Sequence, residues 1–125
     1  MGESMHALDI AANIIVAIVA LFHAWFLVLE MFLWDKPIGM RTFRLTPERA
    51  RDTKVLAANQ GLYNGFLVAG LLWGLWLSPD DHGVRAFFLG CVVVAGVFGA
   101  MTVGRRILYV QALPALVGLA LLLLR

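Results

Sequence analysis

Charged residues are scarce in this sequence and cysteine occurs once, and these two shortages exclude several classes of protein. Only 14% of the 125 residues are charged, whereas 62% are hydrophobic, and the mean hydropathy is +0.86. Soluble domains carry about a quarter of their residues as charged side chains, so this chain cannot cover a surface that faces water. A single cysteine, Cys91, allows no disulfide within the chain. No His/Cys spacing predicts a metal site, and the formal net charge of +2 does not indicate nucleic-acid binding.

Basic residues are also missing from the beginning of the sequence, which argues against a cleaved signal peptide. A signal peptide has a positively charged start, a short apolar core and a cleavage site between small residues. Here the first basic residue is Lys36, and the apolar run continues as far as Trp34. We therefore expect this segment to be retained as a membrane-spanning helix.

Long apolar segments are abundant, and four of them are long enough to cross a bilayer. A helix needs about 20 apolar residues to do so. The predicted helices cover about residues 9–34, 47–77, 84–103 and 106–124, with Pro- and Gly-containing breaks between them. Thr46 followed by Pro47 is a typical helix start, with Thr46 as the N-cap. The sequence thus predicts an all-α bundle of four transmembrane helices that forms a single domain over residues 1–125.

The positions of the basic residues predict the orientation of these helices. Eight of the ten Lys and Arg residues lie in the connections 36–54 and 105–106, and the remaining two are Arg85 and Arg125. Cytoplasmic loops are enriched in Lys and Arg. Both basic connections are therefore expected in the cytoplasm and both termini on the other side of the cell inner membrane.

The first predicted helix carries its polar residues on one stripe. His6, Asp9, Asn13, His23 and Glu30 lie on one path of alternating three- and four-residue steps, and the remaining surface is mostly Ile, Val, Leu, Phe and Met. Ionisable groups are costly inside a membrane and usually face other helices. This stripe is therefore predicted to face the interior of the bundle.

A further set of polar residues falls in the predicted cytoplasmic half of the helices. Two interpretations remain open. The residues either satisfy one another, with Glu30 paired to Arg105 or Arg106, or line a pocket that binds a small anionic or zwitterionic ligand from the cytoplasm. The candidate residues are Glu30, Asn59, Gln60, Tyr63, Asn64, Arg105, Arg106, Tyr109 and Gln111.

Three segments, residues 26–34, 57–66 and 105–114, resemble a bacterial family of small uncharacterised membrane proteins. The resemblance covers nearly the whole chain. Some members of that family are labelled "epimerase", although nothing in these residues points to sugar- or acid-binding chemistry.

More distantly, the chain resembles the MAPEG superfamily of membrane-associated eicosanoid and glutathione enzymes. Asn59 matches an asparagine of that superfamily's second helix, and Arg105 and Tyr109 match a pair at the start of its fourth. The resemblance implies a homotrimer that binds glutathione between subunits near the cytoplasmic side. The chain departs from the pattern in three places. Val55 replaces an arginine and Leu62 replaces an acidic residue that help to bind glutathione, and the Glu48-Arg49 pair lies a few positions too early.

Two functions follow as expectations. In a glutathione-transferase-like enzyme, Arg105 would bind a carboxylate and Tyr109 would donate a hydrogen bond to a developing thiolate. The lipophilic co-substrate would enter from the bilayer. The alternative is a non-enzymatic membrane protein, either a structural partner or a small-solute or proton permease, in which Asp9, His23 and Glu30 form part of an ion path.

Overall fold

The computed structural model describes residues 7–124, and every regular element in that range is helical. The helices are α1 (Ala7–Phe32), α2 (Pro37–Phe43), α3 (Pro47–Trp76), α4 (Gly83–Thr102) and α5 (Arg105–Leu124). The prediction of an all-α fold is confirmed.

Four of these helices, α1, α3, α4 and α5, are long and apolar enough to cross a membrane. They contain 26, 30, 20 and 20 residues. At about 1.5 Å per residue, even the shorter two reach the thickness of a bilayer's hydrocarbon core. By length and composition, the predicted number of spanning helices is confirmed.

The polar stripe of α1 is its buried face, as predicted. Asp9, His23 and Glu30 are 1%, 1% and 5% exposed, and Asn13 is half-buried. His6 lies outside the described residues. Apolar side chains on the other faces of the helix, including Ile14 and Leu21, are exposed. The period of the sequence therefore identifies which side of α1 packs against protein.

The start of α3 has the N-cap that the sequence predicts. The Thr46 hydroxyl oxygen accepts a hydrogen bond from the Arg49 backbone N–H at 3.1 Å. Pro47 occupies the first helical position, where its missing N–H removes no helical hydrogen bond.

A wider turn interrupts α5 before Pro114. Residues Leu108–Ala112 form a π-helical turn, and the Leu113 N–H donates to the Leu108 carbonyl. Proline has no N–H to donate, and local π adjustment is one way in which apolar helices keep the neighbouring carbonyls bonded.

The chain divides into two compact units. Among the described residues, the first comprises 7–20 and 69–124, and the second comprises Leu21–Val68. Each of α1 and α3 therefore contributes one part to the first unit and one part to the second.

In the first unit, α4 packs closely against the π turn of α5 through Gly96. A Cβ atom at Gly96 would lie 2.6 Å from the Ala112 backbone nitrogen and 2.7 Å from its Cβ. Gly118 of α5 similarly approaches Ile15 and Leu89, with 3.0 and 3.2 Å to the nearest side-chain atoms. Small residues thus allow the helix backbones of this unit to approach each other closely.

In the second unit, α1 and α3 meet at Gly61. A Cβ atom there would lie 2.5 Å from the Met31 side chain and 3.2 Å from the Glu30 Cβ. The short helix α2, which the sequence pattern does not predict, folds back on the end of α1, because Gly39 leaves no room for a Cβ beside the Leu33 carbonyl. Seven residues are too few for a recognisable helical period.

We expect Gly96→Ala to destabilise the protein by about 1–3 kcal/mol, because the added methyl group must displace α5. Gly90→Ala, in the same helix, is the matched control, since no atom lies within 4 Å of its would-be Cβ. Alanine also has a higher helix propensity than glycine, so the control substitution should be neutral or slightly stabilising. Thermal unfolding in detergent measures both, and equal effects would contradict the packing described.

Candidate functional site

The Glu30 carboxylate forms the polar centre of the second unit. Its Oε1 accepts a hydrogen bond from the Asn64 side-chain amide at 2.5 Å, and its Oε2 accepts one from the Gln60 amide at 3.1 Å. Gln60 and Asn64 lie one turn apart on α3, so both amides reach the same carboxylate. We refer to Glu30, Gln60 and Asn64 as the carboxylate–amide site.

The close approach of α1 and α3 at Gly61 makes this site possible. Gly61 follows Gln60 directly and leaves no side chain between α3 and the backbone of α1 near Leu27 and Glu30. With a larger residue there, the helices would separate and the short Asn64 side chain would lose its reach.

The site gives each oxygen of the Glu30 carboxylate one hydrogen-bond donor but does not use all of its acceptor capacity. A buried carboxylate is costly unless it is hydrogen-bonded, and both of its oxygens have a donor here. An ionised carboxylate has about four acceptor positions, so two neutral amides leave capacity for a further donor. An ammonium group is one such donor, because it would also neutralise the charge.

The other two predicted residues of α3 lie on its exposed surface. Asn59 is exposed and Tyr63 is 56% exposed, with the Tyr63 ring packed 5.9 Å from that of Phe66. Their neighbours Leu56 and Leu62 are exposed and apolar. Gln60 is exposed as well, so the polar patch of α3 is divided by partner: exposed Gln60 and buried Asn64 donate to Glu30, whereas Asn59 and Tyr63 lie among exposed apolar neighbours.

The remaining predicted residues belong to the first unit. Arg105, Arg106 and Tyr109 are exposed at the start of α5, and Gln111 is half-buried within the π turn. Their role in ligand binding stays a prediction. The partners that the structure gives Glu30 are amides of α3. The sequence contains both amides and arginines that could donate to Glu30, so it does not identify which of them bind the Glu30 carboxylate.

His23 lies on the same face of α1 as Glu30, two turns earlier, which is about 10 Å along the helix axis. It is 1% exposed, and its ring packs edge-on against Phe26 at 5.3 Å. The second unit therefore holds two buried titratable side chains on one helix face.

Beyond the end of α1, a set of side-chain contacts holds the connection to α3. The Trp34 indole N–H donates to the Thr53 hydroxyl at 3.0 Å, and its ring lies 4.8 Å from that of Phe43 in α2. Lys54 forms an ion pair with Asp35 at 3.0 Å. The hydrogen bond that Lys54 donates holds the pKa of the Asp35 carboxyl below its usual value.

Arg85 is the main polar centre of the first unit, and the sequence pattern identifies it only as a charge on the non-cytoplasmic side. Its side chain is 1% exposed. Nη1 donates to the Asn13 side-chain oxygen at 2.7 Å, and Nη2 donates to the Pro79 and Ser78 carbonyls at 3.0 and 3.2 Å. The guanidinium thus ties α1 to the loop before α4. The one feature of the sequence that indicates this contact of Arg85 is the polar residue Asn13 on the buried stripe of α1.

A shallow apolar groove also runs along α4. It lies between Phe87 and Phe98 and passes over Gly90 and Cys91. No predicted ligand-binding residue lines it.

Residues 17–123 match the model of a family described as "Protein of unknown function (DUF1304)". The chain belongs to this family. The match includes Glu30, Gln60 and Asn64, so the carboxylate–amide site lies within the DUF1304 region. This DUF1304 chain is also 27% identical over 119 residues to "Uncharacterized protein YpaA" from Lactococcus lactis subsp. lactis (strain IL1403), which covers 94% of this chain and 96% of that protein. No solved structure matches the chain significantly.

These matches confirm the prediction of an uncharacterised bacterial family. The DUF1304 description names no activity, ligand or assembly. The resemblance to the MAPEG superfamily therefore stays a prediction.

Replacing Arg85 by Met should destabilise this DUF1304 protein by about 3 kcal/mol, because Asn13 and the loop carbonyls lose a buried donor. Arg51→Met is the control, since Arg51 is exposed and an exposed substitution usually changes stability by less than about 0.5 kcal/mol. Thermal unfolding in detergent measures the difference. Equal stability of the two variants would contradict the described role of Arg85.

Proposed function

We propose that this protein is an integral membrane protein that binds a small thiol-containing zwitterionic ligand from the cytoplasm, with the carboxylate–amide site contacting the ammonium group of the ligand. The length and composition of α1, α3, α4 and α5 support the membrane location. The concentration of Lys and Arg in 36–54 and 105–106 supports cytoplasmic connections and termini on the opposite side.

The observation that carries the proposal is the arrangement of Glu30. A carboxylate that is 5% exposed is held by two neutral amide donors of α3. A helix contact in lipid needs no buried acid for its stability, and ionisable groups within such helices usually serve function. The remaining acceptor capacity of Glu30 suits the ammonium group of a zwitterion.

Glutathione is the candidate ligand that the MAPEG resemblance implies. It combines an ammonium group, two carboxylates and a thiol, and Glu30 would accept hydrogen bonds from the ammonium group. The predicted roles of Arg105 in carboxylate binding and of Tyr109 in thiolate stabilisation rest on the resemblance. In a glutathione-transferase-like reaction, the glutathione sulfur would add to an electrophilic carbon of the lipophilic co-substrate and the thiol proton would pass to the adduct, a step that would depend on those two residues.

The exposed polar pair on α3 supports the homotrimer that the same resemblance implies. Asn59 and Tyr63 are exposed among apolar neighbours on a helix that we place in the membrane. Polar groups that face hydrocarbon are costly, so contact with another subunit or with a ligand would stabilise them.

A proton permease is the second candidate, favoured by the positions of His23 and Glu30. Both side chains are buried on one face of α1, and chains of such groups form proton relays in membrane proteins. Proton flux into proteoliposomes that is lost in Glu30→Gln, without stabilisation by glutathione, would favour this function.

Glutathione should raise the unfolding temperature of the purified protein in detergent, because a ligand that binds the folded state stabilises it. Glu30→Gln should weaken the apparent affinity by about 10- to 100-fold, since a hydrogen bond to a charged group contributes about 1.5–3 kcal/mol. Non-thiol analogues show whether the sulfur takes part. Arg51→Gln is the control, because it removes an exposed charge from the start of α3, well before Gln60 in the same helix.

Two results would contradict the proposal. The first is an unchanged unfolding temperature of the parent protein over millimolar glutathione. The second is the same stabilisation of the parent and of Glu30→Gln.

A further inference from the structure

The second unit carries five exposed basic residues around α2 and the first turns of α3. We call these residues the basic surface, and they are Lys36, Arg41, Arg44, Arg49 and Arg51. Lys54 is not included, because Asp35 neutralises it at 3.0 Å. Two acidic residues of the same segment, Glu48 and Asp52, are exposed. Over residues 7–124, no carboxylate forms an ion pair with a member of the basic surface.

The basic surface is fixed at the point where α1 ends. Phe32 is the last residue of α1, and α2 begins at Pro37. Gly39 packs directly on the Leu33 carbonyl, and Phe43 packs on Trp34 at 4.8 Å. α2 is therefore held at the boundary between an apolar helix and the polar connection.

The two sides of α2 differ in the way expected of a helix at a lipid–water interface. Gly39 is buried and Met40 and Phe43 are half-buried, whereas Ile38 and Arg41 are exposed. An apolar and a basic side chain on the same exposed face suit a surface that meets both acyl chains and phosphates.

Arg44 provides an independent indication that charge matters at this place. It has φ 56° and ψ 50° and is the only non-glycine residue with positive φ among residues 7–124. The position after the end of a helix in this conformation is usually glycine, because a Cβ is disfavoured there. The turn itself would thus be more stable with glycine, so the fold does not account for the arginine.

We propose that the basic surface binds the phosphates of anionic phospholipids and enriches them around this end of the protein. Arginine binds phosphate oxygens through paired N–H donors, and basic clusters beside membrane-spanning helices attract anionic lipids. The lipid headgroup is favoured over a soluble phosphate because the surface lies at the end of α1 and includes exposed Ile38. This inference rests on the membrane location proposed above but not on the ligand of the carboxylate–amide site.

Trp34 allows a local test, because it lies between the end of α1 and α2. In a background with Trp25, Trp73 and Trp76 replaced by Phe, Trp34 is the only tryptophan. The full chain is reconstituted in mixed phosphatidylcholine and phosphatidylglycerol discs in which one or the other lipid carries bromine near its headgroup. Quenching of Trp34 by each brominated lipid gives the local enrichment of phosphatidylglycerol.

The expected result is enrichment of phosphatidylglycerol around Trp34 in the parent protein, with a loss of up to about fivefold for each arginine removed. Arg41→Gln with Arg49→Gln should lower the enrichment further than either single change, while Lys36, Arg44 and Arg51 retain part of it. Arg44→Gly should lower the enrichment while raising the unfolding temperature, which separates loss of binding from loss of fold. Asp35→Asn with Lys54→Gln is the control, since it removes a pair without changing net charge, and should retain the enrichment.

Four outcomes would overturn the inference. Equal quenching by both lipids in the parent shows that no lipid is selected. Stabilisation by inorganic phosphate in phosphatidylcholine discs, without lipid enrichment, assigns the surface to a soluble anion. No quenching by either lipid shows that Trp34 and the basic surface do not lie at the lipid headgroups, whereas failure of the chain to incorporate into the discs overturns the membrane location itself.

Discussion

A polar side chain buried among apolar helices must find its hydrogen-bond partners within the protein, and this requirement determines the two best-defined polar centres of this structure. In the second unit, Glu30 receives the amides of Gln60 and Asn64. In the first unit, Arg85 donates to Asn13 and to loop carbonyls. Each centre joins elements that are distant in sequence, so each specifies which faces of the helices meet.

Glycines make these polar contacts geometrically possible. Gly61 allows α3 to approach the backbone of α1 beside Glu30, and Gly74 leaves space for the Arg85 side chain. In lipid, where apolar faces gain little by meeting each other, close backbone packing and interhelical hydrogen bonds are the main forces between helices. Gly96 has the packing role alone, against Ala112. The same helices thus use small residues both for packing and to position polar groups.

The features that follow from local pattern are predictable from the sequence. Segment length and hydropathy predict the four long helices, Thr46 and Pro47 predict the start of α3, and the spacing of Asp9, His23 and Glu30 predicts the buried face of α1. These properties depend on neighbouring residues or on a helical period, both of which are visible in a single chain.

Features that depend on which helices meet are not predictable in the same way. The sequence offers Glu30 several possible donors, and only the close approach at Gly61 selects the amides of α3. The sequence alone suggests that Arg85 is a surface charge, whereas the structure surrounds it with Asn13 and the loop carbonyls. The short helix α2 lacks a period of its own and depends on contacts with Trp34 and Leu33.

A double-mutant cycle between Glu30 and Asn64 tests most directly whether polar partnership within the protein holds these helices together. The variants are Glu30→Leu, Asn64→Leu and their combination, and the measurement is the free energy of unfolding in detergent. If the hydrogen bond is formed as described, each single change leaves a buried partner unsatisfied and costs about 1–3 kcal/mol, whereas the double change costs less than the sum. Strictly additive effects would show that Glu30 and Asn64 do not depend on each other.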